Sequence, residues 1–320
     1  GFLEVAAEAA RRALKPERAL ELKNLMILRP APLADAPAKV FSTKVDEAGT
    51  LTLSTRDELS EDEPLVNLSG RATVSDAPRP AAVRPEAFLR DAERTFEIEP
   101  FYERLAAEGL CYAGAFRPIE AALFVKDDSE SARIGLEMLE TKARAAGTHR
   151  VVVKLASRSI EADRGEGLSP ALVDGALQGL FFALEEAAAN AENVAGKASG
   201  KASGRATYLP TWFERTVIWE RGTPAWATAD LLSLTDRSAK ALYTLYDAKG
   251  EVLARLEGVR FLRVHKKAKG VAPAFYSEAW YAADTDRTSV FCEPKEKTTG
   301  EAENETNALV PALRRALSDT

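Results

Sequence analysis

The chain lays out the same series of elements twice, and that repetition limits its fold more than any single motif. In the first half, "FLEVAAEAARRAL" (Phe2 to Leu14) places Leu3, Ala6, Ala7, Ala10 and Leu14 at helical spacing. Arg11 and Arg12 fall near the end, where cations suit the helix dipole. The runs "LELKNLMIL", "AKVFSTKV", "TLTLSTR" and "PLVNLSGRATV" then alternate roughly between apolar and polar residues, which predicts strands. Asp46-Glu47-Ala48-Gly49 predicts a tight connection between two of them. The second half repeats the series. A helix is expected from Ser169 to about Asn190, with Ser169 as N-cap and Pro170 at the first helical position. Four strand-like runs follow, "TYLPTWFERTVIWE", "PAWATADLLSLT", "KALYTLYDA" and "EVLARLEGVRFLRV", the last two joined by Asp247-Ala248-Lys249-Gly250.

A long helix wrapped by a curled antiparallel sheet is the hotdog plan, so two copies in one chain predict an α+β double hotdog. The expected division is residues 1–110 for the first hotdog and connector, 111–270 for the second hotdog, and 271–320 for a closing segment and linker. The connector is "SDAPRPAAVRPEAF", with prolines at 78, 80 and 85. After it, "PEAFLRDAERT" and "PFYERLAAEG" read as short helices and "RVVVKLA" as a strand. "AGKASGKASGR" reads as a loop.

Composition narrows the function classes. Hydrophobic residues make up 46% of the chain, ample for a buried core. The 43 basic and 49 acidic residues give a net charge of −6 with no basic stripe interleaved with aromatics, so nucleic acid is not an expected partner. The lysines at 197, 201, 266, 267 and 269 read as solvated loop positions. Cys111 and Cys292 are too few for a disulfide framework or a zinc site, and His149 and His265 form no metal-ligand motif. No membrane partner is expected, because no run is long and apolar enough for a span; the expected setting is cytoplasmic. The absence of an initiator Met before "GFLEV" suggests a piece of a longer polypeptide.

One stretch raises a chemical question. In "LSPALVDGALQGLFFAL" (Leu168 to Leu184), Leu172, Val173, Ala176, Leu177, Leu180, Phe181 and Leu184 make a broad apolar helix face. Asp174 and Gln178, four residues apart, share a line at its edge. Gly175 and Gly179 leave room for a substrate or another backbone to approach. Spacing leaves two readings of Asp174. It is a solvent-facing acid favoured by the dipole near a helix start, or a buried carboxyl whose raised pKa fits it for general acid work.

Five segments in order carry a resemblance. "LSPALVDGALQ" resembles the "HPALLDAALQ" motif in the second hotdog of dehydratase domains from polyketide synthases and polyunsaturated fatty acid synthases. "GFLEVAAEAARRAL" is similar to the family's "GYLEMALAAA" helix, and "EGLCYAGAFRPIEAALF" to its "GLxYGPxFRGL" segment. "YLPTWFERTVIW" resembles "LPFxWxxVxLH", and "AFYSEAW" resembles the closing "LYxVEW". The resemblance implies a dehydratase removing water from a 3-hydroxyacyl chain carried on the phosphopantetheine of an acyl carrier protein, with no cofactor bound by the domain itself. It implies Asp174 as the acid and Gln178 as its hydrogen-bonding neighbour. Tyr112 and Gly114 match the loop that shapes the substrate tunnel, and Leu209 and Pro210 match a loop near the same site. The acyl carrier protein and neighbouring synthase domains are the implied partners, and paired hotdog sheets make a homodimer an expectation.

This sequence also departs from the family. The family's histidine base lies in an "HxxxGxxxxP" loop before the first helix, and the sequence begins after that loop, so neither His149 nor His265 matches it. Ser169 stands where the family has histidine, and Tyr-Ala-Gly-Ala-Phe replaces Tyr-Gly-Pro-x-Phe. These changes lean toward the polyunsaturated fatty acid type. They also leave a second reading open, a catalytically silent pseudo-dehydratase with a structural, docking or dimerisation role.

Overall fold

The computed structural model describes residues 1–31, 39–125, 149–156, 168–195, 207–235 and 237–264. Helix α1 (Phe2–Leu14) is followed by β1 (Ala19–Ile27), β2 (Lys39–Val45), β3 (Thr50–Asp57) and β4 (Leu65–Ser75). Helix α2 (Pro85–Arg90), strand β5 (Ala92–Phe96) and helix α3 (Ile98–Ala107) lead through a 3-10 turn at Gly114–Phe116 to β6 (Ile119–Val125) and β7 (His149–Leu155). The long helix α4 (Pro170–Ala195) precedes β8 (Thr207–Ile218), β9 (Trp226–Leu234), β10 (Ser238–Tyr246) and β11 (Val252–Val264).

All eleven strands form one sheet in the order β2-β3-β4-β1-β8-β11-β10-β9-β7-β6-β5. Helix α1 packs on the strands of the first lobe and α4 on those of the second, the expected double hotdog. The lobes join where β1 pairs antiparallel with β8, from Leu20 opposite Ile218 to Met26 opposite Trp212. An ion cluster spans that seam. Glu21 of β1 bonds Arg215 of β8, Arg215 reaches Glu257 of β11 at 3.3 Å, and Lys23 lies 2.8 Å from Glu21. Burial alone would raise the Glu21 pKa, but the bonds from Lys23 and Arg215 outweigh it and hold the carboxyl below its ordinary range.

The two hairpins are the same turn built twice. Gly49 and Gly250 each donate back to the aspartate three residues earlier, at 2.9 and 3.1 Å. The aspartate side chains accept from Thr50 and Glu251 at 2.7 and 2.8 Å. Both glycines have positive φ, and a Cβ there would stand 2.3 Å from Ala72 O or 1.8 Å from Val83 O, so only glycine fits.

Two elements differ from the sequence reading. "DAERT" extends as β5 and pairs with β6, so it edges the second lobe although the expected division at residue 110 groups it with the first. The connector also does more than link. Val83 and Phe88 pack with Val152, Trp226, Tyr246 and Val252 in a second apolar cluster on the sheet face turned away from α4. The expected helix end near Asn190 extends to Ala195, while "AFYSEAW", His265, Cys292 and the lysine clusters lie outside the described residues.

Helix α4 is buried on more sides than its apolar stripe predicts. Phe182 and Ala183, off that stripe, are fully buried, whereas Leu177, Phe181 and Leu184 are only partly so. The glycine side faces protein and opens to no substrate. A Cβ on Gly175 would lie 2.4 Å from Pro118 Cγ and 3.1 Å from Leu155 Cδ2, and one on Gly179 3.0 Å from Ala229 Cβ. Curling the sheet around the helix brings strands to faces a flat sheet would leave bare. Gly175→Ala is expected to destabilise by about 1–2 kcal/mol, because overpacking against the stiff Pro118 ring outweighs a helix-propensity gain of about 1 kcal/mol. Gly179→Ala is expected to be near neutral. Denaturant midpoints of the two variants check the difference.

Candidate active site

Asp174 sits on the second turn of α4, partly buried, with its Oδ2 accepting from Gln178 Nε2 at 2.8 Å. The i, i+4 spacing on one helix makes that bond local. Gln178 itself is only 1% exposed, and its other partners come from elsewhere in the fold. Its Nε2 also donates to Phe116 O at 3.1 Å, and its Oε1 accepts from Tyr102 Oη at 3.0 Å. Tyr102 Oη in turn accepts from the Ile119 backbone N–H at 3.4 Å.

Burial pushes the Asp174 pKa up from 3.8 to about 6, although the Gln178 hydrogen bond pulls it down; Glu4 adds to the rise. Glu4 lies in the first turn of α1, so the start of the first lobe's helix faces the acid of the second lobe's helix. From the opposite direction, Tyr112 feels the Asp174 charge. Its hydroxyl is held well above its ordinary pKa, by burial first and then by Asp174 and Tyr102. Tyr102 and Tyr112 meet edge to face with ring centroids 6.2 Å apart. Gly114, two residues on, opens the 3-10 turn at φ +54°, and no atom lies within 4 Å of where its Cβ would stand.

Leu209 and Pro210, in a run that reads as a strand although the resemblance matches them to a loop, lie in β8 opposite Leu262 and Phe261 of β11. The register shifts between Arg260 and Phe261, beside Pro210. A bulge of this kind tolerates a residue without an N–H, which is why a proline does not end the strand here. Leu209 packs against the main core.

His149 opens β7 opposite Leu231, six residues from Leu155 at the other end of the strand. Leu155 packs beside Gly175, so the His149 backbone lies roughly 20 Å along the strand from the acid's helix turn, at ~3.3 Å per residue. No free thiol stands among the described residues. Tyr102 is the residue that sequence reasoning missed. It sits inside a short amphipathic helix with no local signal, and its role comes from α3 meeting α4.

The raised acid has a thermodynamic consequence. Unfolded, the carboxyl titrates near 3.8; folded, near 6, so the native state binds more protons between those values. Stability is therefore lost as pH rises through that window, and Asp174→Asn is expected to be more stable than wild type by up to about 3 kcal/mol above pH ~7, converging with it near pH ~4. Thermal melts of both proteins across pH check this.

Among the described residues, no helix is long and apolar enough to cross a membrane. No curated protein matches the chain. Solved structures do. A trans-AT polyketide synthase dehydratase domain from Brevibacillus brevis aligns at TM-score 0.61 and 22% identity, over 82% of this chain and 84% of that one. The dehydratase domain from the CurF module of curacin polyketide synthase aligns at TM-score 0.61 and 18% identity, over 82% of each chain. An inactive aspartate-to-asparagine mutant of the CurK dehydratase aligns at TM-score 0.58 and 18% identity, over 82% and 80%. At these identities the alignments establish the shared fold. The family model for the polyketide synthase dehydratase N-terminal domain matches residues 80–270, more than half the chain and the span that carries Tyr102, Tyr112, Asp174 and Gln178, and this chain belongs to the polyketide synthase dehydratase family.

Proposed function

We propose that this domain removes water from a 3-hydroxyacyl chain tethered through phosphopantetheine to a carrier protein, with Asp174 as the acid. The observation that carries this reading is a partly buried carboxyl, its pKa near 6, held by a buried glutamine and facing the first turn of α1. A carboxyl in that state gives up a proton near neutral pH, as a general acid must. In the CurK dehydratase, an aspartate-to-asparagine and a histidine-to-phenylalanine substitution each give an inactive mutant, which supports the same two-part chemistry here.

The proton count fixes the roles. A base removes the proton α to the thioester, electrons move into the new Cα=Cβ bond, and the C–O bond breaks as Asp174 protonates the departing hydroxyl. The thioester stays intact and Asp174 is left as a carboxylate, which Gln178 Nε2 stabilises. In the resemblance the base is a histidine in the loop before the first helix, and no residue of this chain is assigned that role. Tyr112 and Gly114 line the approach to the acid. Leu209 and Pro210 act from β8 as wall residues. The partners are the carrier protein and neighbouring synthase domains.

The test is incubation of the full-length polypeptide with a 3-hydroxyacyl carrier protein. Loss of the mass of one water is expected. A folded protein that releases none supports the silent, structural reading instead. We also read Ser169 and the Tyr-Ala-Gly-Ala-Phe segment as marks of a polyunsaturated fatty acid type of synthase. A straight-chain substrate is then expected to be used in preference to an α-branched one, and the reverse preference overturns that assignment.

A further inference from the structure

The Gln178 side chain is buried, and an amide has nearly the same shape when its oxygen and nitrogen exchange places. Turned over, it would aim Oε1 at Asp174 Oδ2 and at Phe116 O, two acceptors, and lose both bonds. Phe116 O and Asp174 favour the observed orientation but attach only to the nitrogen. The group that holds the oxygen is the Tyr102 hydroxyl. Tyr102 Oη receives the Ile119 N–H and so has its own proton free to donate to Gln178 Oε1. Burial keeps that phenol protonated far above neutral pH, so it stays a donor. The ring is held as well. The Arg117 guanidinium lies 4.5 Å over it, and Arg117 is bonded to Glu99 at 2.6 Å. One directed chain thus runs from Ile119 N–H through Tyr102 O–H and the Gln178 amide to Asp174 Oδ2. Among the described residues nothing hydrogen-bonds Oδ1, the oxygen left to carry the acid's proton.

We propose that Tyr102 is a positioning residue for the acid, acting through Gln178 to fix which carboxylate oxygen of Asp174 is bonded and which is presented to the leaving hydroxyl. This rests on the dehydratase reading for its catalytic meaning, while the effect on Asp174 does not. Among the described residues, the charged and titratable groups facing Asp174 are Glu4 from α1, Tyr102 from α3, Tyr112 from the segment after it, and Tyr243 from β10. Of these, Tyr102 is the one that hydrogen-bonds Gln178 among the described residues.

The experiment compares wild type, Tyr102→Phe, Gln178→Ala and the double variant of the full-length polypeptide, each checked for a native melting transition. Two readouts are taken. The first is the Asp174 carboxyl titration by carbon NMR. The second is the pH dependence of kcat/KM with a 3-hydroxyacyl carrier protein. Tyr102→Phe keeps the ring and removes the donor. It is expected to shift the Asp174 titration and the basic limb of the profile to higher pH, as Gln178→Ala does, and to lower kcat/KM about tenfold, a part of the roughly hundred- to ten-thousand-fold that a placed general acid supplies. The double variant is expected to match Gln178→Ala, because both single changes break one chain. An Asp174 titration unmoved by Tyr102→Phe, or additive losses in the double variant, overturns the proposal. Wild type that fails to eliminate water while its Asp174 titration still responds to Tyr102→Phe overturns the dehydratase reading and leaves the positioning role standing.

Discussion

Asp174→Asn is expected to lower the rate of water elimination by about 10²- to 10⁴-fold while leaving the fold intact or more stable. The asparagine keeps an oxygen that can accept from Gln178 Nε2, so the local geometry survives; what disappears is the transferable proton. Removing a carboxyl whose charged form is disfavoured by burial also removes a cost to the native state. Loss of rate together with gain of stability separates a chemical role from a structural one, because a residue kept for packing would lose both. The measurement is single-turnover conversion of a 3-hydroxyacyl carrier protein, followed by mass, alongside thermal melts at pH 8. Conversion by Asp174→Asn at the wild-type rate excludes Asp174 as the acid. A drop in both rate and stability points to a structural part for the carboxyl. Such opposition between activity and stability is common where a site holds a group in an environment that raises its energy.

The second large effect lies away from the site. Arg150 of β7 and Asp230 of β9 stand opposite one another in the ladder and are 1% and 0% exposed. The guanidinium bonds both carboxylate oxygens, through Nε at 2.5 Å and Nη2 at 3.0 Å. Strand alternation puts the pair on the face turned away from α4, beside Val152 and Trp226, under the connector that brings Val83 and Phe88. Asp230→Ala is expected to destabilise the domain by about 3–5 kcal/mol, since it strips a buried cation of this carboxylate. Replacing both partners by apolar residues of similar volume, as in Arg150→Met with Asp230→Leu, is expected to recover most of that loss. Denaturant unfolding of the single and double variants measures the coupling. A single-variant loss below about 1 kcal/mol means that water or other groups compensate the charge, and the pair is then not what holds the connector layer down.

The strand and helix periodicities were legible because each element carries its own record of which face is buried. The two Asp-x-x-Gly turns were legible for a similar reason, since an aspartate side chain capping its own turn and a glycine at positive φ are local requirements. The line joining Asp174 to Gln178 belongs to the same class, a consequence of helical spacing alone. Where long-range packing decides, the sequence was silent or misleading. "DAERT" has the composition of a helix end, yet the free edge of β6 offers it a ladder and it extends. Leu209 and Pro210 fall in a run whose alternation reads as a strand although the resemblance matches them to a loop, and the register shift beside Phe261 accommodates the proline.

Gly175 and Gly179 read as room for a substrate or another backbone, and the curled sheet fills it with protein, Pro118, Leu155 and Ala229. The sequence by itself determined the two-lobed plan, the turns and the acid with its glutamine neighbour, because these follow from spacing along one element. Tertiary structure alone decided that Asp174 faces the first turn of α1, that its pKa rises, and that Tyr102 holds the glutamine in place. Those properties depend on burial and on donors from α3 and β6 brought to α4, and no local pattern encodes the meeting of segments some 70 residues apart.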